Sequence, residues 1–154
     1  MNRIASLLTP ARIRLDLDVS SKSRLFEEVG QLFAADLELD AQRIGESLSK
    51  RETLGSTGLG QGMALPHARI KGLSQPVAAF VRLSPPISFD APDGKPVSDS
   101  LVLLVPEQAT EIHLQLVAEA AQMFGDRRFR EHLRQQSEAA GSYHAFVDWP
   151  LIAD

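Results

Sequence analysis

Four side chains in this sequence have the types needed to hold and move a phosphoryl group: Arg51, His67, Arg69 and His113. His67 follows a glycine-rich stretch running from Gly55 through Ser56, Thr57, Gly58, Gly60 and Gly62 to Leu65 and Pro66. A histidine with its ordinary pKa of about 6.5 offers a ring-nitrogen lone pair near neutral pH and needs no separate base to attack. The phosphoryl group sets the other requirements. Its oxygens must be held by arginine, backbone N–H groups and helix N-termini while it passes between nucleophiles. Arg51 and Arg69 supply the charge, the loop around Ser56, Thr57 and Gly58 supplies amides and support, and His113 falls where first-turn helix amides are unsatisfied. A neutral His113 there donates a hydrogen bond without placing a second full charge beside His67. Plainer uses exist for each: a loop histidine with a structural hydrogen bond, a satisfied core histidine, a solvated Arg69. Arg51 as a cation at a helix C-terminus is worth roughly 0.3–1 kcal/mol.

Other chemistries fit less well. A Walker-type loop needs lysine and then serine or threonine after Gly60, where Gln61 and Gly62 stand, and the dinucleotide fingerprint finds no third glycine at Met63 or Leu65. Neither H-E-x-x-H nor H-x-H occurs, and without cysteine no tetrahedral zinc set can be completed, so no metal is expected. The serine-elbow pattern G-x-S-x-G is absent. His132 sits among arginines and His144 between Tyr143 and Phe146, which assigns both to surface or packing roles.

The elements that must position these residues can be read from the periodicity. Ile13, Leu15 and Leu17 alternate with Arg14, Asp16 and Asp18, predicting a half-buried strand. After Ser20 and Ser21, suited to an N-cap, Leu25, Val29, Leu32 and Phe33 fall at helical spacing to about Asp36. Asp40 caps a second helix whose stripe of Ala41, Ile44 and Leu48 continues to Arg51, so an arginine points inward at a helix end. The segment from Gly55 to Gly62 reads as a shaped loop, neither helix nor strand. Met63 to Leu65 and Val77 to Leu83 read as short strands, with proline-rich turns at Pro85, Pro86 and from Pro92 to Pro96. Leu101 to Val105 is continuously apolar, as in a central strand. From Thr110 to Phe124, Glu111, Gln115, Glu119 and Gln122 mark a watered side, while Val117, Ala120, Phe124 and His113 face the protein. Helices are expected from Arg127 to about Gln136 and from Ser137 to about Val147. Interleaved strands and helices predict an α/β sandwich, read as one domain over 1–154.

Composition bounds the partners. The chain has 154 residues, a formal net charge of -4 and no cysteine, which permits one ordinary core without disulfides and fits a reducing, cytoplasmic setting. Its longest apolar runs fall far short of the roughly 20 residues of a membrane helix, and Ile4 to Leu8 is too short for a signal-peptide core. Acidic balance and unclustered lysines argue against nucleic acid or a membrane surface as partner.

Taken together, these motifs resemble the enzyme IIA domains of the fructose/mannitol type from the bacterial phosphoenolpyruvate-dependent phosphotransferase system. The stretch Arg51-Glu52-Thr53-Leu54-Gly55-Ser56-Thr57-Gly58 leading to Leu65-Pro66-His67 is similar to that family's phosphorylation-site signature. Leu104-Val105-Pro106-Glu107 with Thr110-Glu111-Ile112-His113-Leu114-Gln115-Leu116 is similar to its second signature, and Phe89 to Val97 also matches. With Ser21-Lys22 opening the first helix, the resemblance runs from about Ile4 to Val147. It implies a small mixed β-sheet flanked by helices on both faces, His67 as the phosphorylated residue, Arg51 and His113 as the residues that steady it, and no cofactor. It implies a histidine-phosphocarrier protein as donor and attack by Nε2, with Nδ1 bonded to backbone. The free-standing form with Leu7-Leu8-Thr9-Pro10 and Phe89-Asp90-Ala91 is most similar to the nitrogen-regulatory branch, whose phosphorylation state acts on partners such as potassium transporters or sensor kinases. A sugar-specific IIA subunit serving a separate IIB protein, and a binding module without phosphorylation, are the alternatives. Leu59, Met63 and Leu65 are the expected apolar contacts to the donor. Ala68 departs from the glycine of many relatives, and the segment from Phe146 to Pro150 has no place in the resemblance.

Overall fold

The computed structural model describes residues 1–108 and 110–150; Ala109 and the last four residues of the expected domain, 151–154, lie outside the described residues. In chain order the elements are α1 (Arg3–Leu7), β1 (Ile13–Leu17), α2 (Lys22–Ala34), α3 (Ala41–Glu52), β2 (Gly58–Gly60), β3 (Met63–Ala64) and β4 (His67–Ile70). There follow β5 (Val77–Ile87), β6 (Val97–Pro106), α4 (Thr110–Gly125), α5 (Arg127–Arg134) and α6 (Ala139–Val147). The predicted caps form: the Ser21 hydroxyl accepts from the Arg24 amide, and the Asp40 carboxylate accepts from the amides of Gln42 and Arg43.

The six strands make one mixed sheet in the order β1-β5-β6-β3-β2, with β4 also on β6. Strand β6 is the spine. One flank pairs antiparallel with β5, and the other carries β3 at Asp99 and Ser100, then β4 from Leu103 to Pro106, both parallel. Alternation along these strands sends Ala79, Val81, Val102 and Leu104 to one face, against α2 and α3. Ala78, Phe80, Leu101 and Leu103 go to the other, against α1, α4, α5 and α6. The expected α/β architecture with helices on both faces is therefore present. All seven phenylalanines are at most 2% exposed, each worth about 1.5–3 kcal/mol of burial. Helices α2 and α3 approach closely because Gly30 lacks a Cβ, which would lie 2.3 Å from the Ala41 carbonyl oxygen.

Three expectations about local structure need correction. Gly58–Gly60, read as irregular, pairs antiparallel with β3, a strand with too few side chains to show a period. His67 opens strand β4 rather than lying in a loop, because Pro66 passes its carbonyl to the Leu103 amide and starts the β6 pairing. Strand β5 continues past Leu83 through Pro85 and Pro86; the ladder shifts register between Arg82 and Ile87, where prolines without N–H groups are tolerated. The segment that follows α6 ties back to the residue that caps α1. Asn2 donates to the carbonyls of Phe146 and Trp149, and the Trp149 indole donates to Asp126.

Candidate functional site

His67 stands where the chain leaves β3 and enters β4, on the flank of β6 opposite Leu103. Ala68 and Ile70 alternate into the core against α2 and α3, so His67 and Arg69 face the α4 side. There the ring of His113, in the first turn of α4, meets that of His67 with centroids 5.1 Å apart and planes at 62°. Arg51 comes from the last turn of α3, half-buried, its Nη1 donating to the Gly55 carbonyl at 3.0 Å. Arg51, His67, Arg69 and His113, with Lys50 and Leu54, line one open hollow of about 440 Å³. All four predicted chemical side chains thus converge from three elements. A larger hollow of about 630 Å³ between α2 and α3 contains none of them.

Nδ1 of His67 lies 2.8 Å from the Leu65 carbonyl oxygen. A carbonyl only accepts, so Nδ1 carries the proton and Nε2 keeps the lone pair. Burial lowers the His67 pKa from 6.5, and the Arg51 guanidinium lowers it further against the opposing pulls of Leu65 and Glu52. Burial also lowers His113, followed by the charges of His67, Arg69 and Arg51. Both rings accordingly favour the neutral form at pH 7. As pH falls from 6.5 through the lowered values, the unfolded chain binds more protons than the folded one, so this contribution to stability is present above 6.5 and lost below it. Between about pH 7 and about pH 5.5 the denaturation midpoint is expected to fall less in His67→Ala than in the wild type. An equal fall in both proteins contradicts a neutral, half-buried His67.

The amides of Thr57 and Gly58 are engaged within the loop and are not presented to the hollow. The Thr57 amide donates to Glu52 at 2.9 Å and its hydroxyl to the same carboxylate at 2.6 Å. The Gly58 amide donates to the Ser56 hydroxyl at 3.0 Å, and that hydroxyl donates to the Phe89 carbonyl. Ser56, Thr57 and Gly58 therefore brace the loop with donors turned inward. All three expected donor contacts also need correction: Met63 and Leu65 are 0% and 2% exposed in the core, and Leu59 lines a separate hollow beside Phe124. The exposed apolar residues at the site are Leu54, at 82%, with Ile112 and Leu114 on either side of His113, at 49% and 65%.

Two residues of the site have no counterpart in the sequence reading of its chemistry. Glu52 sits beside Arg51 with its side chain 6% exposed, and Lys22 from the start of α2 lies 3.0 Å from it. The available signal was an acid at a helix C-terminus, the end where a negative charge is unfavourable and calls for a partner. Among the described residues, no group of three or more acidic, histidine or cysteine side chains gathers as metal ligands, and no helix is long and apolar enough to cross a membrane.

Comparison with known proteins adds a lineage to this geometry. The family model described as phosphoenolpyruvate-dependent sugar phosphotransferase system, EIIA 2, matches residues 6–146. The nitrogen regulatory protein of Pseudomonas aeruginosa is 44% identical over 149 residues, 96% of this chain and 97% of the relative. The crystal structure of nitrogen regulatory protein IIA-Ntr from Neisseria meningitidis matches with a TM-score of 0.87 at 45% identity, covering 94% of this chain and 99% of that one. IIA mannitol from Escherichia coli, 16% identical with a TM-score of 0.75 over 90% and 97% of the two chains, shares the fold.

Proposed function

The chain belongs to the EIIA 2 family of the phosphoenolpyruvate-dependent sugar phosphotransferase system, and from this we propose that His67 Nε2 accepts a phosphoryl group from a histidine-phosphocarrier protein in the cytoplasm. The observation that carries the reading is the locked tautomer: Nδ1–H on the Leu65 carbonyl leaves a nucleophilic Nε2 beside Arg51 and His113. The Nε2 lone pair attacks phosphorus in line, the donor's N–P bond breaks, and its electron pair returns to the donor imidazole. Nδ1 keeps its proton throughout. Arg51, with further guanidinium N–H groups beyond the one on Gly55, receives phosphoryl oxygens together with His113, while Arg69 adds positive charge at the rim.

The output is regulatory rather than delivery to a sugar. This rests on the likeness, over nearly the whole chain, to proteins named as nitrogen regulatory proteins. A phosphoryl group adds about two negative charges at a hollow rimmed by Lys50, Arg51 and Arg69, which changes the surface offered to regulated partners without moving the fold. The donor approaches over Leu54, Ile112 and Leu114. Replacing Leu54 and Leu114 together by aspartate is expected to raise the KM for the phosphorylated donor about tenfold with little change in kcat. Unchanged kinetics move the docking surface elsewhere.

The deciding experiment is incubation with phosphoenolpyruvate and the upstream phosphotransfer proteins, followed by intact mass, acid treatment and fragment mapping. A single acid-labile phosphoryl group on His67 is the expected result. No adduct, with donor proteins active on a control acceptor, overturns the reading.

A further inference from the structure

A buried carboxylate needs partners that satisfy it, and Glu52 has three donors from two directions. Lys22 Nζ lies 3.0 Å away, and the amide and hydroxyl of Thr57 lie at 2.9 and 2.6 Å. Lys22 is itself fixed: it donates to the Phe89 carbonyl at 3.1 Å, lies 5.0 Å from the centroid of the Phe89 ring and stands 3.8 Å from Asp90. From Thr57 the path continues to the reacting ring. The Thr57 carbonyl accepts from the Leu65 amide at 2.9 Å, and the Leu65 carbonyl accepts from His67 Nδ1 at 2.8 Å. An unbroken series of contacts therefore runs from a lysine on α2 to the imidazole on β4.

The charges matter as well as the geometry. Glu52 lies close enough to His67 to pull its pKa upward against Arg51. The groups facing His67 are Lys50, Arg51 and Glu52 from α3, Arg69 from its own strand and His113 from α4. Glu52 is the one carboxylate in that set, and an unpaired carboxylate there repels an incoming phosphoryl dianion through a poorly screened interior.

We infer that Lys22 and Glu52 are positioning residues of the phosphoryl site: the pair fixes His67 through Thr57 and Leu65, and Lys22 cancels the negative charge that this bracing brings beside it. The inference rests on the proposed phosphoryl transfer for its rate effects, but the His67 titration needs no donor and tests the network independently.

The experiment compares Lys22→Met, Glu52→Gln and the double variant in the full chain, following the His67 ring by NMR against pH and the rate of phosphoryl acceptance. Lys22→Met is expected to raise the His67 midpoint and slow acceptance about tenfold or more, since small displacements of a nucleophile are costly. Glu52→Gln is expected to lower the midpoint. In the double variant the midpoint returns toward wild type and acceptance is faster than in Lys22→Met, a rescue that loss of packing alone does not produce. If Lys22→Met does not fold, Glu52→Gln alone decides. An unmoved His67 midpoint in the folded variants, or a double variant slower than either single one, overturns the inference. Moved midpoints with no phosphorylation of any protein, wild type included, support the network and reject the phosphoryl reading instead.

Discussion

Replacing His67 by alanine is expected to abolish acid-labile phosphorylation while leaving the fold in place. Its half-buried ring makes one hydrogen bond among the described residues, to the Leu65 carbonyl, worth about 0.5–1.5 kcal/mol net. The strand it opens is held by other means: Ala68 and Ile70 are buried against α2 and α3, and β4 keeps its pairing with β6. Truncation therefore removes the nucleophile without the cavity penalty of a core substitution. Circular dichroism and a thermal melt close to wild type, with no phosphoryl adduct by intact mass, are the expected pair of results. The sharpest alternative is His113, whose ring is 5.1 Å from that of His67. An acid-labile group carried by His113 in the variant would make the two rings interchangeable nucleophiles and end the assignment of separate roles.

Much of the frame is legible because side chains repeat with the period of the element that carries them. Ile13, Leu15 and Leu17 mark β1 by alternation, and Ser21 and Asp40 mark the starts of α2 and α3 by the hydrogen bonds their side chains can make. Where the period has too few residues to register, the reading fails. Strand β2 contributes one side chain beyond hydrogen, Leu59, between two glycines, so its pairing with β3 leaves no pattern in the sequence. Strand β4 is four residues long behind a proline, and a proline before a short run reads as a turn. The site divides the same way. The chemistry open to His67, Arg51 and His113 can be read from residue type, whereas their meeting depends on β3 and β4 sharing one flank of β6, which no local pattern encodes. Lys22 and Glu52 stand 30 positions apart and touch only because α2 and α3 pack side by side.

Arg51→Ala is expected to slow phosphoryl acceptance about a hundredfold or more, the scale seen when one preorganised donor to a developing charge is removed. The electrostatics make this more informative than an ordinary loss of function. Arg51 lowers the His67 pKa, so the variant's imidazole is the more basic one and, on basicity alone, the better nucleophile. A fall in rate together with a rise in the His67 midpoint therefore isolates the missing grip on the phosphoryl oxygens from any change in the attacking nitrogen. Arg51→Lys separates charge from shape. It restores a point charge but not the planar fork that holds both the Gly55 carbonyl and a phosphoryl oxygen, so partial recovery of rate is expected with the His67 midpoint close to wild type. Should Arg51→Ala accept phosphate as fast as wild type, the guanidinium is a helix-terminal cation worth roughly 0.3–1 kcal/mol of stability, and the oxygens are held by other groups.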